Sequence, residues 1–375
     1  MTASATDRLN TEVLVTRLWD AVRDGDEYAA VEVILPAVDA GLDAESALLD
    51  VIAPVQAKVG LEWAANRISV AQEHTATAIN DRVIAALAHH TPPPQKRRRG
   101  RVTVACVDGE WHALPARLLA ETLRLRGWQV DFLGAQVPVP HLIDHLHRTG
   151  PDALALSSSI PTRLPTAHAT ITACQAAGVP VMAGGAAFGP RGRYAERLCA
   201  DAWAPNARAA ADRLDELISR PFAPPPAHQA VEDLPHLADQ EYTLVTRSAH
   251  RLVAAVLAEL QERFPAMADY TDQQRQHTAE DIAHITEFLG VALYLDDSGL
   301  FTRFIAWTGD ILTARGVPAH SVGLALDLLA EQLKDFPRAV GLLQAGHVAL
   351  EGATTARWSS SGNGMGSGAR ARERS

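Results

Sequence analysis

Between residues 8 and 91 apolar side chains recur every three or four positions in four blocks, "EVLVTRLWDAVRDG", "YAAVEVILPAVDAG", "AESALLDVIAPVQAKVGLEWA" and "ISVAQEHTATAINDRVIAALA". That is the period of amphipathic helices, and Gly or Asp-Gly at the breaks predicts an up-and-down four-helix bundle. Ser69 followed by Gln72 reads as a capping box, so the fourth helix is predicted to start near Val70 with Glu73 and His74 in its first turn. Trp63 closes the preceding helix, and the turn "AANR" brings Trp63, Glu73 and His74 to one end of the bundle.

From residue 101 the pattern changes. A strand "RVTVACV" and a loop "DGEWHAL" precede a helix from Pro115 to about Arg126, with Pro suited to its first turn and Gly127 to its stop. Strand "WQVDFLG", helix "PHLIDHLHRTG", strand "DALALSSS", helix "RLPTAHATITACQAAG", strand "VPVMAGG" and a helix from about Gly192 follow. This alternation predicts an α/β doubly wound parallel sheet of the Rossmann or flavodoxin type, which takes its ligands beyond the carboxyl ends of the strands. His112, Ser157 to Ser159, and Gly184-Gly185 fall at those ends. An imidazole can ligate a metal, hydroxyls can donate to a buried polar ring, and paired glycines let a bulky group approach the backbone. Residues 229–357 return to helical spacing in five blocks separated by Gly, Pro or Asp-Ser, which predicts an all-α domain, globin-like in size.

Proline-rich stretches at 89–100 and 220–228 read as linkers. The expected domains are therefore 1–91, 101–220 and 229–357, with a Gly/Ser-rich basic tail at 358–375 expected to be disordered. The basic run Lys96 to Arg99 reads as a solvated part of the first linker. With 47% hydrophobic and 21% charged residues the chain has an ordinary globular composition, and a net charge of -10 argues against holding nucleic acid by its whole surface. No apolar run suits a membrane span, and the N-terminus lacks a signal-peptide plan, so a cytoplasmic location is expected. Cys106, Cys174 and Cys199 lack metal-like spacing and are expected to be buried thiols. Neither a Ser/His/Asp triad nor a phosphate loop is evident, so no turnover reaction is expected.

The loop "EWH" ending in His112, with Ser157, Ser159 and "GG" at 184–185, resembles the cobalamin-binding domain of methionine synthase, corrinoid methyl carriers and adenosylcobalamin mutases. The preceding bundle is similar to the cap domain of the first two groups. Their loop reads Asp-x-His-x-x-Gly; here Glu110 replaces the aspartate and Pro115 the glycine. The resemblance implies that His112 is the lower axial ligand to cobalt and that Glu110 hydrogen-bonds its other nitrogen. It also implies that the cofactor's displaced base lies beside Ser157, Ser159, Gly184 and Gly185.

Trp63 with Glu73-His74 resembles the upper-face signature of the CarH-type light-responsive cobalamin repressors, which bind adenosylcobalamin. This implies that Trp63 shields the adenosyl group while Glu73 and His74 offer it hydrogen bonds, the alternative being a core tryptophan beside a helix-dipole glutamate. The resemblance further implies a non-enzymatic photoreceptor. Light would cleave the cobalt–carbon bond and change homo-oligomer assembly or affinity for a downstream protein partner, without direct contact to nucleic acid or membrane. The DNA-reading domain that precedes the bundle in CarH-type proteins is expected to be absent. A corrinoid methyl carrier and a light-independent cobalamin-binding regulator remain as alternatives.

In arrangement the last domain resembles the bilin domain of photocobilins, which implies biliverdin as a second cofactor. His277, Asp281 and His284 lie on one helical face and could meet the pyrrole nitrogens, with Tyr294 and Trp307 as walls and Arg303 as a propionate clamp. A solvated polar face is the competing reading, and haem a further one. Since residues 229–357 contain no cysteine, any bilin there would be held non-covalently.

Overall fold

The computed structural model describes residues 10–91, 99–219, 239–318 and 320–362. The chain forms two compact units, divided between Glu232 and Asp233. The linker segments 92–98 and 220–238 and the tail from residue 363 lie outside the described residues.

The first unit begins with α1 (Thr11–Arg23), α2 (Glu27–Asp39), α3 (Ala44–Ser46), α4 (Ala53–Ala64) and α5 (Val70–His90). α3 and α4 form one rod through a π-helical segment, Ala47–Ile52, in which the Ala53 amide reaches back to the Leu48 carbonyl. Pro54 supplies the cause, because its ring would clash with the carbonyl four residues back and it has no N–H to give. Ser69 caps α5 in a full capping box with Gln72, and Asn66 makes the turn after Trp63 at φ +57°. Leu14, Leu18, Ile34, Leu48, Val55 and Ile84 are among the buried side chains at the bundle's centre. That core also takes in Leu114 and Leu118 from the following helix, so bundle and sheet share apolar surface.

β1 (Arg101–Cys106), α6 (Leu114–Leu125), β2 (Gln129–Gly134), α7 (Val139–Thr149), β3 (Ala153–Ser157), α8 (Leu164–Ala176), β4 (Val181–Gly184), α9 (Arg193–Arg197), β5 (Ala202–Ala204) and α10 (Ala207–Ser219) complete the unit. All strands run parallel in the order β2-β1-β3-β4-β5. β5, only three residues long, is an element the sequence pattern did not reveal. α6 and α10 cover one face through Ala116, Ala120, Leu123, Ala211 and Leu214, and α7 and α8 pack on each other away from that cluster. The chain therefore leaves β1 and β3 toward opposite faces, and the loops after these neighbouring strands open a crevice at the switch point.

Bundle and sheet are also tied by charge. Arg126, just past α6, donates to both oxygens of Glu45 on α3 and to Asp212 on α10. Arg208 on α10 reaches Glu45 and Asp50. Arg99, the one described member of the basic run, pairs with Asp215. Burial pushes the Cys106 and Cys174 thiols up to about 12; Cys199 departs from the expectation in being only half-buried, at a positive φ of 56°.

The second unit consists of α11 (Glu241–Arg263), α12 (Asp272–Leu295), α13 (Ser298–Ala314), α14 (His320–Gln332) and α15 (Pro337–Gly362). α11 packs mainly on α12 and α13 on α15. Gly309 and Gly346 permit the second crossing, since a Cβ at either would stand 2.7 Å from a side chain of the other helix. Glu241, almost fully buried, accepts from the amides of Arg338 and Ala339 and so caps α15 from a distant part of the chain. Among the described residues no helix is long and apolar enough to cross a membrane.

Candidate functional site

The loop between β1 and α6 turns at Gly109 and delivers Glu110, Trp111 and His112 to the crevice. Glu110 is fully buried. One carboxylate oxygen takes the His112 amide at 2.9 Å and His112 Nδ1 at 2.6 Å. The other takes the amides of Ser159 at 2.7 Å and Ile160 at 3.0 Å and the Ser158 hydroxyl at 3.2 Å. Burial alone would push this carboxyl up, but hydrogen bonds from His112 and from the amides of Ser159 and Ile160 outweigh it and bring it down to about 2. An ionised Glu110 only accepts, so Nδ1 of His112 carries the proton and Nε2 is left with its lone pair. The imidazole is 47% exposed, held from within and open outward.

Beside it lies a cleft with a cavity volume of about 130 Å³, lined by Pro115, Ser157, Gly184, Gly185, Ala204 and Asn206 among others. Ser157 ends β3 and is buried there, while Ser159 lies in the next loop and reaches Glu110 through its amide. The two glycines differ. A Cβ on Gly184 would meet nothing nearer than the Ala204 carbonyl at 3.8 Å, whereas one on Gly185 (φ +98°) would lie 2.2 Å from the Ser158 carbonyl oxygen. Gly185 is thus required first by the approach of two backbone loops, a nearer cause than the approach of a ligand.

On the bundle, Trp63 is half-buried against the helical core. Glu73 accepts from Thr77 Oγ1 at 3.0 Å and lies 2.5 Å from His74 Nδ1. Gln56 on α4 donates to Thr77, and Asn80, fully buried, donates to Gln56, so a polar chain fixes Glu73 from the bundle interior. Sequence reasoning placed Ser158 at the strand end and Trp111 in the loop without a role for either, and missed this chain of Gln56, Thr77 and Asn80. Ser158 was visible as the middle of a serine triplet; the three residues of the chain carry no local signal.

The residues singled out in the second unit do not form one set. Asp281 is pushed up by burial and drawn back by His284 and His277, with Arg315 close enough to act on it. Its helix meets α13 through Phe288 stacked on Phe304 at 3.6 Å, with Trp307 a further 6.2 Å from Phe304 and half exposed. Tyr294 lies elsewhere. It is buried edge-on against Tyr242 of α11 at 4.9 Å, and burial pushes its hydroxyl up to about 12. Arg303 is exposed near the start of α13, beside Gly299. The expectation that Tyr294 walls a common pocket with Asp281 is therefore corrected: helical period places both on α12 but does not say which neighbour covers each flank.

The outward Nε2, the carboxylate that fixes its tautomer and the cleft behind it fit a corrinoid, which brings its own equatorial ligands and needs one axial donor and room for a displaced base. Comparisons with known proteins agree. The B12 binding domain family matches residues 100–214, and a second family, also described as a B12 binding domain, matches residues 14–88. The HTH-type transcriptional repressors CarH and CarA of Myxococcus xanthus are 33% and 30% identical over 49% and 46% of this chain, which spans 59% and 58% of their lengths. The trimethylamine corrinoid protein of Methanosarcina barkeri is 22% identical over 41% of the chain and 72% of its own length. The structure of the monomethylamine corrinoid protein of Methanosarcina barkeri superposes on 55% of the chain and 99% of its own, with a TM-score of 0.49 and 21% identity. Through residues 14–88 and 100–214, the first unit of this chain is a cobalamin-binding module in two parts, a helical bundle and a parallel sheet.

Proposed function

We propose that the protein is a light-sensing signalling protein that binds adenosylcobalamin and does not itself catalyse turnover. The observation that carries this reading is the Glu110–His112 pair, in which a buried carboxylate holds Nδ1 of a half-exposed imidazole and leaves the Nε2 lone pair as the one donor that could hold cobalt. His112 would hold cobalt from below, with the displaced base beside Ser157, Ser159, Gly184 and Gly185. Trp63 would cover the upper face, and Glu73 and His74 would hydrogen-bond the adenosyl group. When bound, the cofactor supplies a cobalt–carbon bond that visible light breaks. The residues of this chain translate its loss: Trp63 and the bundle are freed to shift against the sheet, on which they are held by the Glu45, Arg126 and Arg208 network. The output is a light-dependent change in homo-oligomer assembly or in affinity for a downstream protein partner.

The second unit is assigned non-covalent biliverdin, supported by the polar face of His277, Asp281 and His284 next to the Phe288, Phe304 and Trp307 aromatics. Tyr294 packs instead on Tyr242, and Arg303, exposed on α13 beside Phe304, would serve as the propionate clamp.

The test is an absorption spectrum of the protein with adenosylcobalamin and biliverdin in the dark, then after green and red illumination, with mass from light scattering. Cobalamin bands that shift with light in the wild type, and that start from a different position in His112→Ala, support the reading. Cobalamin bands indifferent to light, or identical in the variant, sink it. Biliverdin whose spectrum the protein leaves unchanged removes the bilin assignment alone. A corrinoid methyl carrier is the second reading, favoured by the 72% coverage of a trimethylamine corrinoid protein; it requires methylcobalamin to bind at least as well as the adenosyl form.

A further inference from the structure

His112 Nδ1 faces a carboxylate that already accepts from three amides and a hydroxyl, so the imidazole proton resides on Nδ1. Nε2 must then act through its lone pair. In this structure that lone pair is in use: the indole Nε1 of Trp111, a group that can only donate, lies 3.1 Å from Nε2. The two rings meet edge-on, with centroids 5.7 Å apart and planes at 86°. Trp111 is otherwise loosely held, with 65% of its surface exposed. An exposed indole carries a large unfavourable apolar area, and its position over the imidazole is the arrangement that gives its N–H a partner.

We propose that Trp111 is a plug on the axial donor, occupying the His112 lone pair until a corrinoid displaces it, and so sets the affinity and rate of corrinoid uptake. This rests on the cobalamin reading above and goes beyond it, because one lone pair cannot accept the Trp111 N–H and bind cobalt together. Displacement is cheap in packing, since little of the ring is buried. Its cost is one neutral hydrogen bond. The plug also fits the loop sequence: Trp111 lies between the tautomer-fixing Glu110 and the donor His112, so whatever places His112 also places the indole beside it.

Trp111→Phe keeps a ring of similar shape and removes the N–H. Titrated with aquacobinamide, a corrinoid without its own base, Trp111→Phe should bind about fivefold tighter than wild type, the equilibrium worth of one neutral hydrogen bond, and faster, with the same final spectrum. Affinity equal to or weaker than wild type would overturn the plug. A second readout needs no corrinoid. In protein labelled with ¹⁵N-histidine, the His112 Nε2 resonance should move in Trp111→Phe while Nδ1 stays; an unmoved Nε2 denies the contact. If wild type takes up no corrinoid, or the spectrum of its complex does not depend on His112, the proposed function fails and the competition with it. The ¹⁵N resonances still report the contact separately.

Discussion

The Arg126 guanidinium grips the Glu45 carboxylate with two hydrogen bonds of 2.7 and 2.8 Å, and this pair joins the helical bundle to the sheet domain. Arg208 adds a third contact to the same carboxylate, which holds it below the usual carboxylate range, first through the Arg126 hydrogen bonds and then through Arg208, against an opposing effect of burial. A lone surface ion pair is worth little, but a bidentate, shared one at a partly buried seam is worth on the order of 1 kcal/mol. Glu45→Gln should lower the melting temperature of the first unit by a few degrees, read by calorimetry. Because the folded carboxyl titrates below its unfolded value, its contribution is present at neutral pH and fades as pH falls from about 4.5 downward. The variant's deficit should therefore shrink with acidification. A deficit unchanged from pH 7 to pH 4 would remove Glu45 from the seam's energetics.

Glu110 should be far less replaceable. Its carboxylate satisfies five donors from two loops, and Glu110→Ala would strand the amides of Ser159 and Ile160 as well as the imidazole Nδ1–H of His112. A loss of about 3 kcal/mol is expected. In Glu110→Gln one amide nitrogen must face donors, so the loops partly separate and His112 loses its fixed tautomer. Cobalamin affinity should fall 10- to 100-fold, as for other partners that orient a metal-binding histidine. Titration by absorption checks this, and wild-type affinity in Glu110→Gln would show that His112 needs no such partner.

In the second unit, Glu241 caps α15 by accepting from the amides of Arg338 and Ala339 at 3.2 and 2.8 Å. These are first-turn N–H groups with no partner inside their own helix, and a buried carboxylate there also meets the positive end of the helix dipole. Glu241→Ala should cost about 2 kcal/mol, seen as a lower melting transition of the helical unit. The cobalamin spectrum should not change. Loss of cobalamin binding in this variant would mean that the helical unit acts on the cofactor site.

Much of this arrangement is legible in the sequence because it depends on near neighbours. Ser69 and Gln72 fix the start of α5 within one turn, and the alternation of apolar strands and Gly-stopped helices marks four of the five strands. β5 escapes because three residues, "AWA", carry no period. The π segment escapes because Pro54 follows a break in hydrogen bonding that apolar spacing does not register. His112 and Glu110 are recognisable as a spaced pair, yet the convergence of Ser158, Ser159 and Ile160 on the same carboxylate comes from β1 and β3 being sheet neighbours. The helical unit shows the limit most plainly. Periodicity groups His277, Asp281 and His284 on one face, but only packing reveals that Tyr294 turns toward α11 and Phe288 toward α13.

Gly184 and Gly185 separate what the fold needs from what a ligand needs. At Gly185 a methyl group would stand 2.2 Å from the Ser158 carbonyl oxygen, with the backbone at φ +98°, where L side chains are strained. Gly185→Ala must therefore push the β3 and β4 loops apart. It should cost roughly 3 kcal/mol or more, since strain and overpacking add, and it should disturb Ser159 and Glu110 with them. At Gly184 the backbone is ordinary and the nearest atom is 3.8 Å away, so Gly184→Ala should change stability by less than about 1 kcal/mol. Its methyl group would narrow a cleft of only about 130 Å³ that Ser157 and Asn206 also line. If the displaced base of cobalamin occupies this cleft, Gly184→Ala should weaken cobalamin with no loss of melting temperature, and should weaken cobinamide, which has no such base, much less. Equal affinity for cobalamin in Gly184→Ala and wild type would place the base outside the cleft.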